Sequence, residues 1–465
     1  MQYSDLTYLA VPLPEDVLKA KGYGDFHLAN AIIDRRLASD RTPDAIKKRL
    51  ELEKMILEQL PREYPYSEEE ALKALREAVG DVSVEEFHDL RLDNRIDWIY
   101  VNGEVRYKDD FLSNLLKVSA EYAEKARARG KLPPMPAGPN LLDETIRELK
   151  EKGALRTHMK MRTTLTIQRD ETHQNAPIDV WLPIPAEQAQ IRNVRILTEG
   201  GEISRPDSAQ HTILFRGDRD RSVFSVEYEF DTELTYMQPD AARVTKAQPT
   251  FYTEELLPHI RFTPFLKDLA RQIVGSETNP LLKARRIYDY ITQNITYSYM
   301  RAYQTMPMIP EFLAAGGKGD CGVQALLFIT LCRIEGIPAT WQSGVYAEPR
   351  DEGIHDWARF YVAPYGWLFC DCSFGGGALR KGNRERWDFY FCNLDPFRMP
   401  ANNEFQHDFE TPPRFMRYDP YDNQMGEAEY PEMAVPKACR RIRHEVLSVS
   451  GVDAVIRLMT QQEAN

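Results

Sequence analysis

Cys321 stands where a thiol is readily turned into a nucleophile. It follows Gly316-Gly-Lys-Gly319-Asp320 and opens an apolar run to Ile334 that Gly336 and Pro338 terminate, a pattern that predicts a helix beginning at the cysteine. A thiol in the first turn faces unpaired backbone N–H groups and the positive end of the helix dipole, which favour thiolate over thiol. The same N–H groups suit the oxyanion of a tetrahedral intermediate. A buried structural thiol is the competing reading, and the glycine run counts against it because Gly lets a ligand approach the backbone. A thiolate needs a base. Downstream, His355 to Val362 and Gly366 to Asp371 are two alternating stretches around Ala363-Pro364-Tyr365-Gly366, the pattern of an antiparallel hairpin. With Val362 opposite Gly366, odd-numbered residues of both strands share one face. His355, Trp357, Phe369 and Asp371 then line one surface, with Asp371 diagonally across from His355 and with Cys370 and Cys372 on the other side. Alone, His355 is more readily a structural residue. Together with Cys321 and Asp371 it matches the order of nucleophile, base and orienting carboxylate.

These residues need elements to hold them, and the chain changes character several times before reaching them. Residues 1–130 form a mainly helical domain: Phe26 to Leu37, a run from Thr42-Pro43-Asp44 that Pro61 should stop, a capped helix from Ser67 to Gly80, and a hairpin turning at Asn102-Gly103. Residues 131–156 supply a linker, centred on the Pro- and Gly-rich GKLPPMPAGP, and one helix. Residues 157–237 are β-rich with alternating polarity and read as an antiparallel β-sandwich. Residues 251–415 start helical and become mixed, and 416–465 form a C-terminal extension. The fold class is therefore α+β.

The residues around Cys321 resemble the transglutaminase-like superfamily, whose core has a papain-like fold. The resemblance lies in Gly319-Asp-Cys321, Gly336-Ile-Pro-Ala339, His355-Asp-Trp357 and Tyr365-Gly-Trp367 leading to Asp371. The segments Asn393-Leu-Asp-Pro-Phe-Arg398 and Asp419-Pro-Tyr-Asp-Asn-Gln424 are similar to the tails of bacterial members, and Val180-Trp-Leu-Pro-Ile-Pro185 to the strand-rich domain that often precedes their core. The resemblance implies Cys321 as nucleophile, His355 as base and then acid, and Asp371 as the group fixing the imidazole. Substrate contacts are expected from Trp357, Tyr297, Gly319 and Asp320. Tyr297 and Tyr299 are candidates to hold the oxyanion, with hydrophobic packing as the competing role. Members usually carry Asp-Pro where this chain has Asp371-Cys372.

Composition narrows the alternatives. Of the 465 residues 43% are hydrophobic, enough for sizeable cores, and 59 Lys and Arg against 71 Asp and Glu leave a net charge of −12. That balance opposes a broad grip on nucleic acid or anionic lipid. The first residues lack a basic stretch followed by an apolar one, and no run of about 18 apolar residues occurs. A soluble cytoplasmic protein with its six cysteines as thiols is the expectation. Neither metal nor cofactor is expected. Cys370-x-Cys372 with Cys392 lacks a second close pair for zinc, and strand cysteines at i, i+2 are badly placed to bond each other. The acidic Asp419 to Glu429 segment fails the spaced calcium loop, and Gly316 to Gly319 fails both phosphate-binding glycine spacings. The expected activity is acyl transfer from a peptide or related amide through a thioester, with hydrolysis favoured. Transfer to an amine acceptor, coenzyme A-dependent acyl transfer, and a non-catalytic scaffold on the same core are the alternatives. Oligomeric state is not legible.

Overall fold

The computed structural model describes residues 3–134 and 140–457; residues 135–139 of the expected linker lie outside the described residues. It is an α+β structure. The N-terminal helices include Phe26–Leu37, Asp44–Glu63, Glu68–Val79 and Phe111–Val118, with a hairpin of Trp98–Val101 and Glu104–Tyr107. Ser67 and Glu70 form a reciprocal capping box at the third of these helices. Pro61 does not stop the second, which continues to Glu63. A proline in the last turn removes only its own N–H bond, and Tyr64 N–H still reaches Leu60 C=O. The expected single domain 1–130 divides in two. Leu50, Ile56, Leu57 and Leu60 join the main core of the molecule, whereas Leu75, Phe87, Tyr107 and Phe111 build a separate one.

The β-region is two four-stranded antiparallel sheets packed face to face. One holds Ala154–Ile167, Val223–Thr235 and Ile191–Ile196; the other holds Ile178–Pro183, Thr212–Asp218 and Glu202–Ile203. Along Ala154–Ile167 alternate residues from Leu155 to Ile167 are buried, as a half-covered strand requires. Phe215 and Phe224 meet across the layers at 5.9 Å. Each sheet is completed from the end of the chain, by Arg440–Ser450 and Glu427–Glu429. The sandwich therefore does not close at residue 237, and the C-terminal segment is not a separate extension.

The core that positions the site is a five-stranded antiparallel sheet with one helix pressed on it. In chain order its elements are helix α1 (Cys321–Ile334), strands β1 (Ala339–Glu348), β2 (Asp351–Val362) and β3 (Gly366–Cys370), helix α2 (Cys372–Arg380), and strands β4 (Phe391–Cys392) and β5 (Arg398–Asn402). The sheet order is β4-β3-β2-β1-β5. Every residue of α1 from Cys321 to Arg333 is buried, because the helix is apolar on all sides and is covered by the sheet and by the helices Pro264–Val274, Pro280–Asn294 and Ile309–Gly316. Gly366, at φ +83°, supplies the left-handed turn residue that seats Val362 opposite Gly366. That register carries the odd-numbered residues of β2 and β3 to one face.

Strand β5 lies against β1 at a tight spot. The register shifts between Ser343 and Gly344, and a Cβ on Gly344 would fall 2.0 Å from Met399 O. Gly344→Ala must therefore push the two strands apart. We expect it to destabilise the fold by about 1–3 kcal/mol, read as a lowered urea midpoint; an unchanged midpoint would show that the β1–β5 contact yields freely.

Candidate active site

Asp320 caps α1, its carboxylate accepting from Val323 N–H at 3.2 Å and from Tyr303 O–H at 2.6 Å. Cys321 is the first helical residue and is 8% exposed. Its thiol donates to Asp356 Oδ2 at 3.5 Å. The other Asp356 oxygen accepts from Gln424 Nε2 at 2.6 Å, and the same amide reaches His355 C=O at 3.0 Å. The crowding is possible because residue 322 is glycine: a Cβ there would fall 2.0 Å from Tyr303 Oη and 2.7 Å from Asp356 Oδ2.

This arrangement corrects one expectation. Burial, with the carboxyl groups of Asp356 and Asp320 beside it, pushes the Cys321 thiol up rather than down. The positive helix end is already occupied by Asp320, so the dipole is not free to stabilise a thiolate. Asp320 is itself pushed up to about 6 by burial. Asp356 is driven up by burial, with Asp320 and Asp419 adding to the shift.

His355 is 5% exposed, and its Nε2 lies 2.8 Å from Asp371 Oδ2. Asp371 is held down at about 2, against the effect of burial, by His355 and Arg398 and by hydrogen bonds. An ionised carboxylate only accepts, so His355 Nε2 carries the hydrogen and Nδ1 carries the lone pair. The imidazole lies between Trp357, stacked at 6.1 Å, and Phe374 at 4.5 Å. Burial lowers the pKa of His355 although Asp371 opposes the shift.

Asp371 is not on a strand. The strand β3 ends at Cys370, and Asp371 caps α2, its Oδ1 accepting from Phe374 N–H at 2.9 Å and Ser373 O–H at 3.3 Å. Its Oδ2 also accepts from Arg398 Nη1 at 2.9 Å. The change from strand to helix at this residue brings the sulfurs of Cys370 and Cys372 to 3.8 Å, closer than strand geometry allows. Among the described residues no group of three or more His, Cys, Asp or Glu side chains is placed to hold a metal ion.

The four residues expected to contact substrate are placed as follows. Trp357 is fully buried and its indole N–H donates to Gln342 Oε1 at 2.8 Å. Gly319 is packed so that a Cβ would fall 2.2 Å from the Val323 side chain. Asp320 is the cap of α1. Tyr297 pairs with Gly319 in a two-residue parallel bridge, half-buried, with Lys117 5.0 Å above its ring and the same distance above Tyr299. The N-terminal helices hold the chain that follows: Asn114 bonds Ser298 Oγ and Tyr299 N–H, Glu63 accepts from Ala302 N–H at 3.0 Å, and Gln59 accepts from Gln304. Sequence reasoning missed Tyr303, Asp356, Gln424 and Arg398. Asp356 stands beside His355, Arg398 and Gln424 end the two tail segments whose resemblance assigns them no role, and Tyr303 lies in a segment with no local pattern of its own.

An uncharacterized protein of Haemophilus influenzae is 28% identical over 137 residues, which are 24% of this chain and 37% of that one, so the match spans little more than a third of that relative. A Cytophaga hutchinsonii structure carrying a provisional cysteine protease designation is 15% identical, with 64% of this chain and 89% of that one covered at a TM-score of 0.38. The periplasmic domain of TgpA from Pseudomonas aeruginosa is 14% identical over 52% of this chain and 95% of that one, at a TM-score of 0.29. At those scores neither structure bears on the chemistry. Residues 267–372 match the sequence model of the transglutaminase-like superfamily, which supports a cysteine-dependent enzyme in general. That stretch, which contains Cys321, His355 and Asp371, is by this match a transglutaminase-like domain.

Proposed function

We propose that the protein cleaves a peptide or related amide by acyl transfer to Cys321, with water resolving the thioester. His355 Nδ1 takes the thiol proton as sulfur bonds the carbonyl carbon. The tetrahedral intermediate collapses with loss of the amine, which leaves with that proton, and water then hydrolyses the acyl-enzyme. With the Val323 N–H taken by the Asp320 carboxylate, the Cys321 N–H at the start of α1 is the group offered to the oxyanion, and Asp371 keeps the hydrogen on Nε2. The observation that carries this reading is the 2.8 Å His355–Asp371 bond, with the carboxylate fixed on both oxygens. Trp357 and Gly319 act only through packing and Asp320 through the cap of α1, while the half-buried Tyr297 is left for direct contact with substrate. Hydrolysis is favoured over transfer to an amine because water is always present.

The near-complete burial of the sulfur and its raised thiol favour a second reading, a non-catalytic scaffold on the same core. No helix of the described residues is long and apolar enough to cross a membrane, and we place the protein in the cytoplasm, where its six unbridged thiols would persist.

Two measurements separate these readings. Incubation with peptide libraries, an acid quench and mass spectrometry should find an acyl adduct on Cys321 that Cys321→Ala protein lacks; a bare Cys321 throughout would favour the scaffold. The rate of adduct formation should hold as pH falls through 6.5, the ordinary histidine value, and decline only below it, because burial keeps the folded imidazole neutral to lower pH. A rate already halved above pH 6.5 would remove His355 Nδ1 from the role of base.

A further inference from the structure

Arg398 is wholly buried in β5, and its guanidinium joins two carboxylates of different elements. Nη1 donates to Asp371 Oδ2 at 2.9 Å; Nε and Nη2 donate to Asp395 Oδ2 at 2.9 and 2.5 Å. Asp395 is also wholly buried, accepting from Tyr390 O–H at 2.9 Å and Phe397 N–H at 3.1 Å. The guanidinium carbon lies 4.4 Å from the centre of the Phe374 ring and 5.4 Å from that of Trp357, the two rings that also contact His355. Asp371 Oδ2 is thus shared between His355 Nε2 and Arg398 Nη1.

We propose that Arg398 and Asp395 are positioning residues for the His355–Asp371 pair, forming with it a buried row of alternating charges that becomes neutral when the imidazole gains a proton. Two carboxylates against one guanidinium leave one negative charge while His355 is neutral, and none once it is imidazolium. Arg398 alone would oppose the proton, since its charge cancels that of Asp371. Asp395 alone would hold the proton too well. In a low-dielectric interior each effect is felt strongly. The charged groups that act on His355 are Asp371, Arg398 and Asp395. The other titratable groups against the row are Tyr346 on β1 and Tyr390, whose rings lie 5.2 and 5.7 Å from the Arg398 guanidinium. The opposite influence of the two residues on the imidazole agrees with the geometry: Arg398 lowers its pKa and Asp395 raises it. A lysine could supply the charge but not the forked contact to both carboxylates.

This inference rests on His355 being the base, and its test needs no turnover. The ligand-free protein, labelled with ¹³C in the histidine rings, is titrated by NMR, with His355 assigned by its absence in His355→Gln. Arg398→Met should raise the His355 midpoint by about one pH unit and Asp395→Asn should lower it by about as much, while Arg398→Lys should stay close to the parent. Midpoints that do not move, or that move in the same direction, overturn the proposal. If circular dichroism shows Arg398→Met unfolded, Asp395→Asn against Arg398→Lys decides, and an unmoved Asp395→Asn midpoint overturns it. The titration is independent of adducts at Cys321, so opposite shifts without an acyl-enzyme would reject the proposed activity and leave the charge row standing.

Discussion

The carboxylate of Asp371 is the constraint on which the rest of the site depends. One of its oxygens starts α2 by capping Phe374 N–H, and the other is divided between an imidazole and a guanidinium. Three segments from across the sheet, β2, the β3–α2 junction and β5, therefore converge on a single group. Such a carboxylate cannot turn without breaking a helix cap, a base contact and a buried ion pair together. Orientation of the imidazole is thus a property of the fold rather than of a flexible side chain.

The Cys321 side is built on the opposite principle, close packing around apolar surface. Helix α1 has no polar face, so every direction around it must be covered, and Asp320, Tyr303 and Asp356 crowd at its N-terminal end. Only a glycine at 322 leaves space for the phenol and the carboxyl group. The cost of that crowding is electrostatic: two acids beside a buried sulfur favour its protonated form. A helix N-terminus stabilises a thiolate when the dipole is free, and here a carboxyl side chain already sits on it.

What was legible in the sequence follows from how local each signal is. The β2–β3 register could be read because a single glycine turn sets the pairing of adjacent strands, and parity then places His355 and Asp371 on one face. The capping box at Ser67 and Glu70 is equally local. Arg398, Gln424 and Tyr303 could not be read, since their partners lie at 27, 68 and 17 positions' distance along the chain with no periodicity linking them. The last strand of each sandwich sheet failed for the same reason: Arg440–Ser450 pairs with Ala154–Ile167, and nothing in either segment specifies the other. The position of Asp371 was read correctly and its element was not, because the alternating pattern of Gly366 to Cys370 ends one residue before the helix begins.

The two halves of the site also explain one another. A sulfur kept as thiol by neighbouring acids is inert until something removes its proton, and under the proposed function that group is His355, whose Nε2 is held as a donor to Asp371. Burial weakens that imidazole as a base, and the net negative charge of its surroundings offsets part of the loss. Moving one proton from Cys321 to His355 creates a thiolate beside acids and an imidazolium beside a carboxylate, so the second charge is stabilised where it forms and the first is not. The thiolate must then be short-lived and be consumed by bonding to carbon, which ties ionisation of the sulfur to the presence of an electrophilic carbonyl. On the proposed function the thiol is therefore unreactive in the absence of substrate, and proton transfer and attack are a single event.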